Sequence, residues 1–134
     1  MRIFVNILLA GAALLPLIRP AVAAWPEKPI TIIIPAAPGG GADASARILA
    51  QKMAPVVGQP VLADNRSGAG GIVGSQMLTR AAPDGYTLMM GNIGPNAINY
   101  SMYMKLPYKP TDFAPITLIV SYALVLVVNA ISPF

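Results

Sequence analysis

The residues with the clearest chemical potential are Pro38-Gly39-Gly40-Gly41-Ala42-Asp43, set between an apolar run, Ile30 to Ile34, and a helical pattern that begins at Ala42. Glycines let a backbone approach a ligand closely, and the first amides of a helix have no intrahelical acceptor. Those amides and the helix dipole together favour a carboxylate or a phosphate. The design recurs at Arg66-Ser67-Gly68-Ala69-Gly70-Gly71, and a third loop, Gly91-Asn92-Ile93-Gly94-Pro95-Asn96, is rich in amides and small residues. Ligands of open α/β sheets bind beyond the carboxyl ends of the strands, so the three loops are expected to gather at one edge.

Other chemistries lack their residues. The chain has no cysteine and no histidine, which removes disulfides, thiolate or imidazole metal ligation and any His-based triad. The five acids, Glu27, Asp43, Asp64, Asp84 and Asp112, are scattered along the sequence rather than paired. Neither a terminal Gly-Lys-Ser/Thr nor a spaced Gly-x-Gly-x-x-Gly accompanies the first glycine turn, which weakens a nucleotide reading. No catalytic residue, metal ligand or cofactor is assigned.

The elements that must position these loops alternate in type. Ile30 to Ile34 reads as a buried strand, and Ala42 to Ala54 as an amphipathic helix with Ala46, Leu49, Ala50 and Met53 on one face. Pro55 is expected to kink or stop that helix. Val61 to Ala63 then predicts a second strand, Ile72 to Ala81 a second helix, and Tyr86 to Met90 a third strand after the Pro83-Asp84-Gly85 turn. A short helix and coil follow over Tyr100 to Tyr108, and Ile116 to Val120 and Leu124 to Val128 read as two further apolar strands. Strands alternating with helices across short turns give an α/β class with a mainly parallel sheet flanked by helices.

Arg2, the mostly apolar stretch from Ile3 to Ile18, and the small residues Ala21-Val22-Ala23 predict a secretory signal peptide over residues 1–23. The apolar run is shorter than the roughly 18 residues a spanning helix needs, and Arg19-Pro20 closes it. Cleavage after Ala23 removes Arg2 and Arg19, which lowers the net charge from +4 to +2. A charge of that size without clustered cations gives no case for nucleic acid.

Seven segments carry a family resemblance. Trp25 to Ile30, Pro38 to Asp43, Gly58 to Val61, Asp64 to Gly71, Ala82 to Leu88, Leu106 to Tyr108 and Asp112 to Pro115 resemble, in order and spacing, the periplasmic solute receptors of tripartite tricarboxylate transporters. The resemblance implies one lobe of a two-lobed Venus flytrap of the type II periplasmic binding protein kind. Residues 24–134 would form an incomplete first lobe, with the second absent. It also implies a non-enzymatic role, in which a small carboxylate is held between lobes by main-chain amides and water and is then passed to membrane permease subunits. The chain departs from the family pattern at Ala36-Ala37-Pro38, where an aromatic-Pro pair is usual. It departs again at Pro55, through whose position family helices continue, and at Asn92 and Ile93, near which Ser or Thr is usual.

The candidate ligand-binding residues are therefore Pro38, Gly39, Gly40, Gly41 and Asp43 in the first turn, Ser67, Gly68, Ala69 and Gly70 in the second, and Asn92 and Gly94 in the third. Asp43 by itself reads as an N-cap, and Asn65 and Arg66 as pins for the second turn. Tyr100, Tyr103 and Tyr108 read as packing residues. The functional expectation is a periplasmic receptor for a carboxylate; the alternatives are a non-functional truncated fragment of one, or an exported enzyme with a phosphate-binding glycine loop. An uncovered cleft face and bare late strands predict a marginally stable, aggregation-prone chain.

Overall fold

The computed structural model describes residues 25–132 apart from Tyr122 and Leu124; the predicted signal peptide lies outside the described residues. Strand β1, Ile30–Ile34, is the centre of a three-stranded parallel sheet. Its unbroken β-branched run suits a strand covered on both faces, and Ile30, Ile32, Ile33 and Ile34 are all buried. Strand β2, Val61–Asn65, pairs along one side from Ile30↔Val61 to Ile34↔Asn65. Strand β3, Thr87–Met89, pairs along the other from Thr31↔Thr87 to Ile33↔Met89. The second strand, which pairs with the whole of β1, is thus longer than the pattern predicts, and the third, which pairs with Thr31 to Ile33, is shorter.

Helix α1, Gly41–Val57, joins β1 to β2 and packs Ala46 and Ala50 onto Ile32 and Ile34. Burying each such isoleucine contributes about 1.5–3 kcal/mol. The expected stop at Pro55 does not occur: the helix runs through the proline and ends at Gly58, whose left-handed φ of 73° sends its N–H to Ala54 O. Pro55 sits in the last turn, where the missing amide removes a single bond and the glycine cap closes the end. Helix α2, Ile72–Thr79, follows β2 and is shorter than predicted. It returns the chain past β1 to β3, with Ser75 Oγ 3.8 Å from Met89 Sδ.

After β3 the chain makes a wide π-type turn at Gly94–Ile98 that runs straight into a short helix, α3, Asn99–Met102. Tyr108 packs edge-on against Tyr100 and Phe113, with ring centroids 5.8 and 5.4 Å away. The predicted strands over Ile116 to Val120 and Leu124 to Val128 are not found: among the described residues this stretch pairs with nothing, and Leu124 lies outside them. Leu118, Val125 and Leu126 are strongly exposed. An apolar, β-branched run becomes a strand only beside a strand that takes its hydrogen bonds.

Candidate functional site

Because the three strands are parallel, their carboxyl ends share one edge, and the three predicted loops leave from it. The chain passes from β1 to β2 on one side and then crosses back to β3 on the other, so β1 is where the winding reverses. That reversal is the position at which such sheets open a crevice.

In the first turn Gly39, with φ 86°, bends the chain so that Gly40 becomes the N-cap of α1. Asp43 is therefore not the cap but a third-position residue. Its Oδ2 reaches back past the cap to accept the amide of Gly39, the residue before it, at 2.9 Å. Its Oδ1 lies 2.9 Å from Arg47 Nε one turn along the helix. The Arg47 guanidinium first, and the Gly39 amide second, hold the carboxyl well below its ordinary range, at about 2. Arg47 Nη2 also donates to Asn65 Oδ1 at 2.8 Å, and Asn65 Nδ2 donates to Ala36 O at 3.2 Å. Asp43 is thus ionised, buried and paired. The pair removes most of the repulsion that a lone carboxylate would exert on an anion, while the amides of Gly41 and Ala42 have no intrahelical acceptor. Pro38, Gly39, Gly40 and Gly41 are exposed at this edge.

The second turn has an uncommon backbone. Gly68, Ala69, Gly70 and Gly71 all take positive φ, at 131°, 46°, 63° and 88°. Only Ala69 carries a Cβ, and a left-handed conformation costs it about 1–2 kcal/mol. A bond from Gly71 N to Gly68 O at 2.9 Å closes the turn. Ser67 to Gly70 are exposed, and neither their amides nor the Ser67 hydroxyl find an acceptor among the described residues. Gly71 and Gly74 allow the close packing behind them. A Cβ on Gly71 would meet Pro35 O and Pro95 Cγ at 3.2 and 3.1 Å, and one on Gly74 would meet Pro35 Cβ at 2.9 Å. Arg66 anchors the start of this turn, since its N donates to Ile34 O and its Nε is paired with Asp64 Oδ2 at 2.9 Å, whereas the Asn65 side chain is tied to Arg47 and to Ala36 O of the first loop.

The third loop sits at the same edge but turns its polar groups on itself. Gly94 N donates to Asn92 Oδ1 at 3.0 Å, and Asn92 N donates to Asn96 Oδ1 at 3.2 Å. The Asn92 side-chain amide nitrogen is left without an acceptor among the described residues.

Sequence reasoning missed Asn99. It is buried, and its Nδ2 donates to Gly70 O at 3.0 Å and to Tyr108 Oη at 3.2 Å, while Tyr108 Oη donates to Pro95 O at 3.1 Å. Tyr108 packs as expected, and its hydroxyl also ties α3 to the second and third loops. Two surface grooves lie away from this edge, one of 460 Å³ between α2 and β3 and one of 300 Å³ between α1 and Ile119-Val120.

The chain is similar to known proteins in sequence and fold. Residues 45–134 match the family described as the tripartite tricarboxylate transporter family receptor, TctC. The chain is 42% identical over 112 residues to the UPF0065 protein in the tcbD-tcbE intergenic region of Pseudomonas sp. strain P51, which covers 83% of this chain and 33% of that relative. Among solved structures, MatC from Rhodopseudomonas palustris with bound malate superposes with a TM-score of 0.68 at 38% identity, covering 71% of this chain and 33% of that one. R. palustris Rpa4515 with adipate gives 0.63 at 33% identity, with 65% and 29% covered. The chain spans about a third of the length of the curated relative it matches.

Proposed function

Since the chain belongs to the tripartite tricarboxylate transporter receptor family, we propose that it captures a small carboxylate outside the cytoplasm as part of a solute-binding receptor and catalyses no reaction. The observation that carries this reading is the pairing of two main-chain cradles, Gly40 to Ala42 and Ser67 to Gly70, at the carboxyl ends of adjacent parallel strands. Each offers neutral N–H donors rather than a free cation: Arg47 is committed to Asp43 and Asn65, and Arg66 to Asp64. Amides fixed in this way suit a carboxylate, whose oxygens take several N–H donors without a proton transfer. The bound ligands of the similar R. palustris proteins, malate and adipate, are of this class.

In this reading residues 1–23 direct export and are removed, and residues 24–134 supply the first part of one lobe of a Venus flytrap. An opposing lobe closes over the ligand, and the loaded receptor delivers it to membrane permease subunits. Isothermal calorimetry on the mature chain tests the capture step with malate, adipate, citrate, glutamate and benzoate beside a nucleotide panel. Heat from carboxylates supports it, and heat from nucleotides alone sinks it. A chain that binds nothing while a full-length version binds assigns capture to the two lobes together.

A further inference from the structure

We propose that Asn99, backed by Tyr108, is the positioning residue that holds the second glycine turn with its amides open to the ligand; this deepens, and rests on, the carboxylate-capture reading. The turn needs an external hold. Gly68, Ala69, Gly70 and Gly71 are all in positive-φ conformations; the glycines adopt these freely but as flexible residues, and Ala69 at φ 46° is strained, so a fixed geometry here needs surrounding groups to over-determine it. Two backbone bonds hold the turn, Gly71 N to Gly68 O and Ile72 N to Ala69 O, and neither engages the Gly70 carbonyl. That carbonyl is held by a side chain twenty-nine residues away, Asn99 Nδ2 to Gly70 O at 3.0 Å. A carbonyl oxygen only accepts, so the nitrogen of the Asn99 amide must face it.

The peptide plane makes this contact directional. The Gly70 carbonyl and the Gly71 N–H lie on opposite sides of one rigid unit, so drawing the carbonyl toward Asn99 points the N–H at Gly68 O. With those two groups engaged, the amides of Gly68, Ala69 and Gly70 are left without an acceptor among the described residues, in exposed positions. Asn99 is only 3% exposed, and its remaining bond, to Tyr108 Oη, is relayed to Pro95 O. Pro95 in turn packs against Gly71, so Asn99 and Tyr108 grip the turn from both ends of one buried network. Both residues act through Gly70 and Gly71.

Asn99→Asp keeps the shape but offers only acceptor oxygens to Gly70 O when ionised, and Tyr108→Phe removes only the relay. Amide hydrogen exchange on the mature chain, read residue by residue by NMR without ligand, tests the hold independently of any binding. The expected result for Asn99→Asp is at least tenfold faster exchange at Gly71, with displaced Gly68 to Gly70 resonances and unchanged protection at Ile32 and Ile33. Tyr108→Phe should give about a threefold effect confined to the same turn, and it decides the matter should Asn99→Asp not fold. Unchanged Gly71 exchange, or a loss shared equally by Ile32 and Ile33, overturns the proposal. Malate titration then adds the functional arm. Weaker binding in Asn99→Asp than in wild type extends the hold to ligand affinity, and equal binding overturns its ligand role. Absence of carboxylate binding both in this chain and in a full-length version counts against the capture reading, while the exchange result still judges the positioning role.

Discussion

Asp43 and Arg47 form an ion pair one turn apart on α1, with Oδ1 2.9 Å from Nε, and Asp43 Oδ2 accepts the Gly39 amide of the first glycine turn. Its carboxyl titrates at about 2 rather than its ordinary 3.8, chiefly because of Arg47 and then the Gly39 amide. A carboxyl whose folded value is depressed adds stability that is present above the ordinary value and lost as pH falls through the folded one. Melting temperature should therefore fall as pH drops from 3.8 toward 2. Asp84, also lowered, by the Tyr86 amide and then by Lys28, adds to the same slope. Asp43→Asn should flatten part of the slope and Asp84→Asn another part, with the cost of Asp43→Asn greatest above pH 4 and fading below it. Thermal melts followed by circular dichroism between pH 5 and pH 2 check this; an unaltered slope in Asp43→Asn refutes it.

Glycine positions at the edge separate fold from function. Gly41 has an ordinary helical φ, and a methyl added there would meet nothing within 4 Å, so Gly41→Ala should stabilise the chain by about 0.4–1 kcal/mol through a less flexible unfolded state. The same methyl projects at the start of α1, where the amides are exposed, and should weaken malate binding. A raised melting temperature with weaker malate binding by calorimetry is the expected pair of results.

Gly74 predicts the opposite. A methyl there lies 2.9 Å from Pro35 Cβ and 3.0 Å from Arg66 O, and neither the proline ring nor the backbone carbonyl can turn aside. Gly74→Ala should push α2 off the end of β1 and cost about 1–3 kcal/mol, measured as a lower urea midpoint.

Pro55 also gives a direct prediction, because α1 continues through it to Val57. Pro55→Ala restores the donor that would meet Gln51 O and removes the ring clash, so it should stabilise the chain by up to about 3 kcal/mol. The measurement is again the urea midpoint. No gain would mean that the helix end is already relaxed around the ring.

What is legible in the sequence is local and periodic. The run Ile30 to Ile34, the helical spacing of Ala46 and Ala50, and glycines after two strands suffice for a parallel sheet with loops at one edge. Asn99 is invisible there because nothing near it distinguishes it from the exposed Asn96: its burial is set by Gly70 and Tyr108, twenty-nine and nine residues away. The role of Asp43 escapes for a smaller reason. Gly40, with no side chain to cap with, takes the cap position, and the acid works from three residues further on. Ile116 to Val128 differs again, since composition reports a preference for strand but pairing requires a neighbour that composition does not contain.

That unpaired stretch carries the last prediction. Leu118, Val125, Leu126 and Val127 are 81%, 78%, 96% and 80% exposed, and Leu124 to Val128 contains no charge, proline or glycine. Consecutive residues of that kind in open solvent are a template for edge-to-edge pairing between molecules. Placing a charge there costs the folded sheet nothing, because Leu126 packs against none of the buried residues of the β1 and α1 core. Leu126→Lys, alone or with Leu118→Lys, should therefore reduce self-association of residues 24–134 while leaving the melting temperature within a degree or so, as expected for an exposed surface substitution worth less than about 0.5 kcal/mol. Light scattering after size-exclusion chromatography, across a range of protein concentrations, reads the effect. If the wild-type chain elutes as a monomer at every concentration, or if the lysine variants associate as strongly as it does, the exposed stretch is not what drives association.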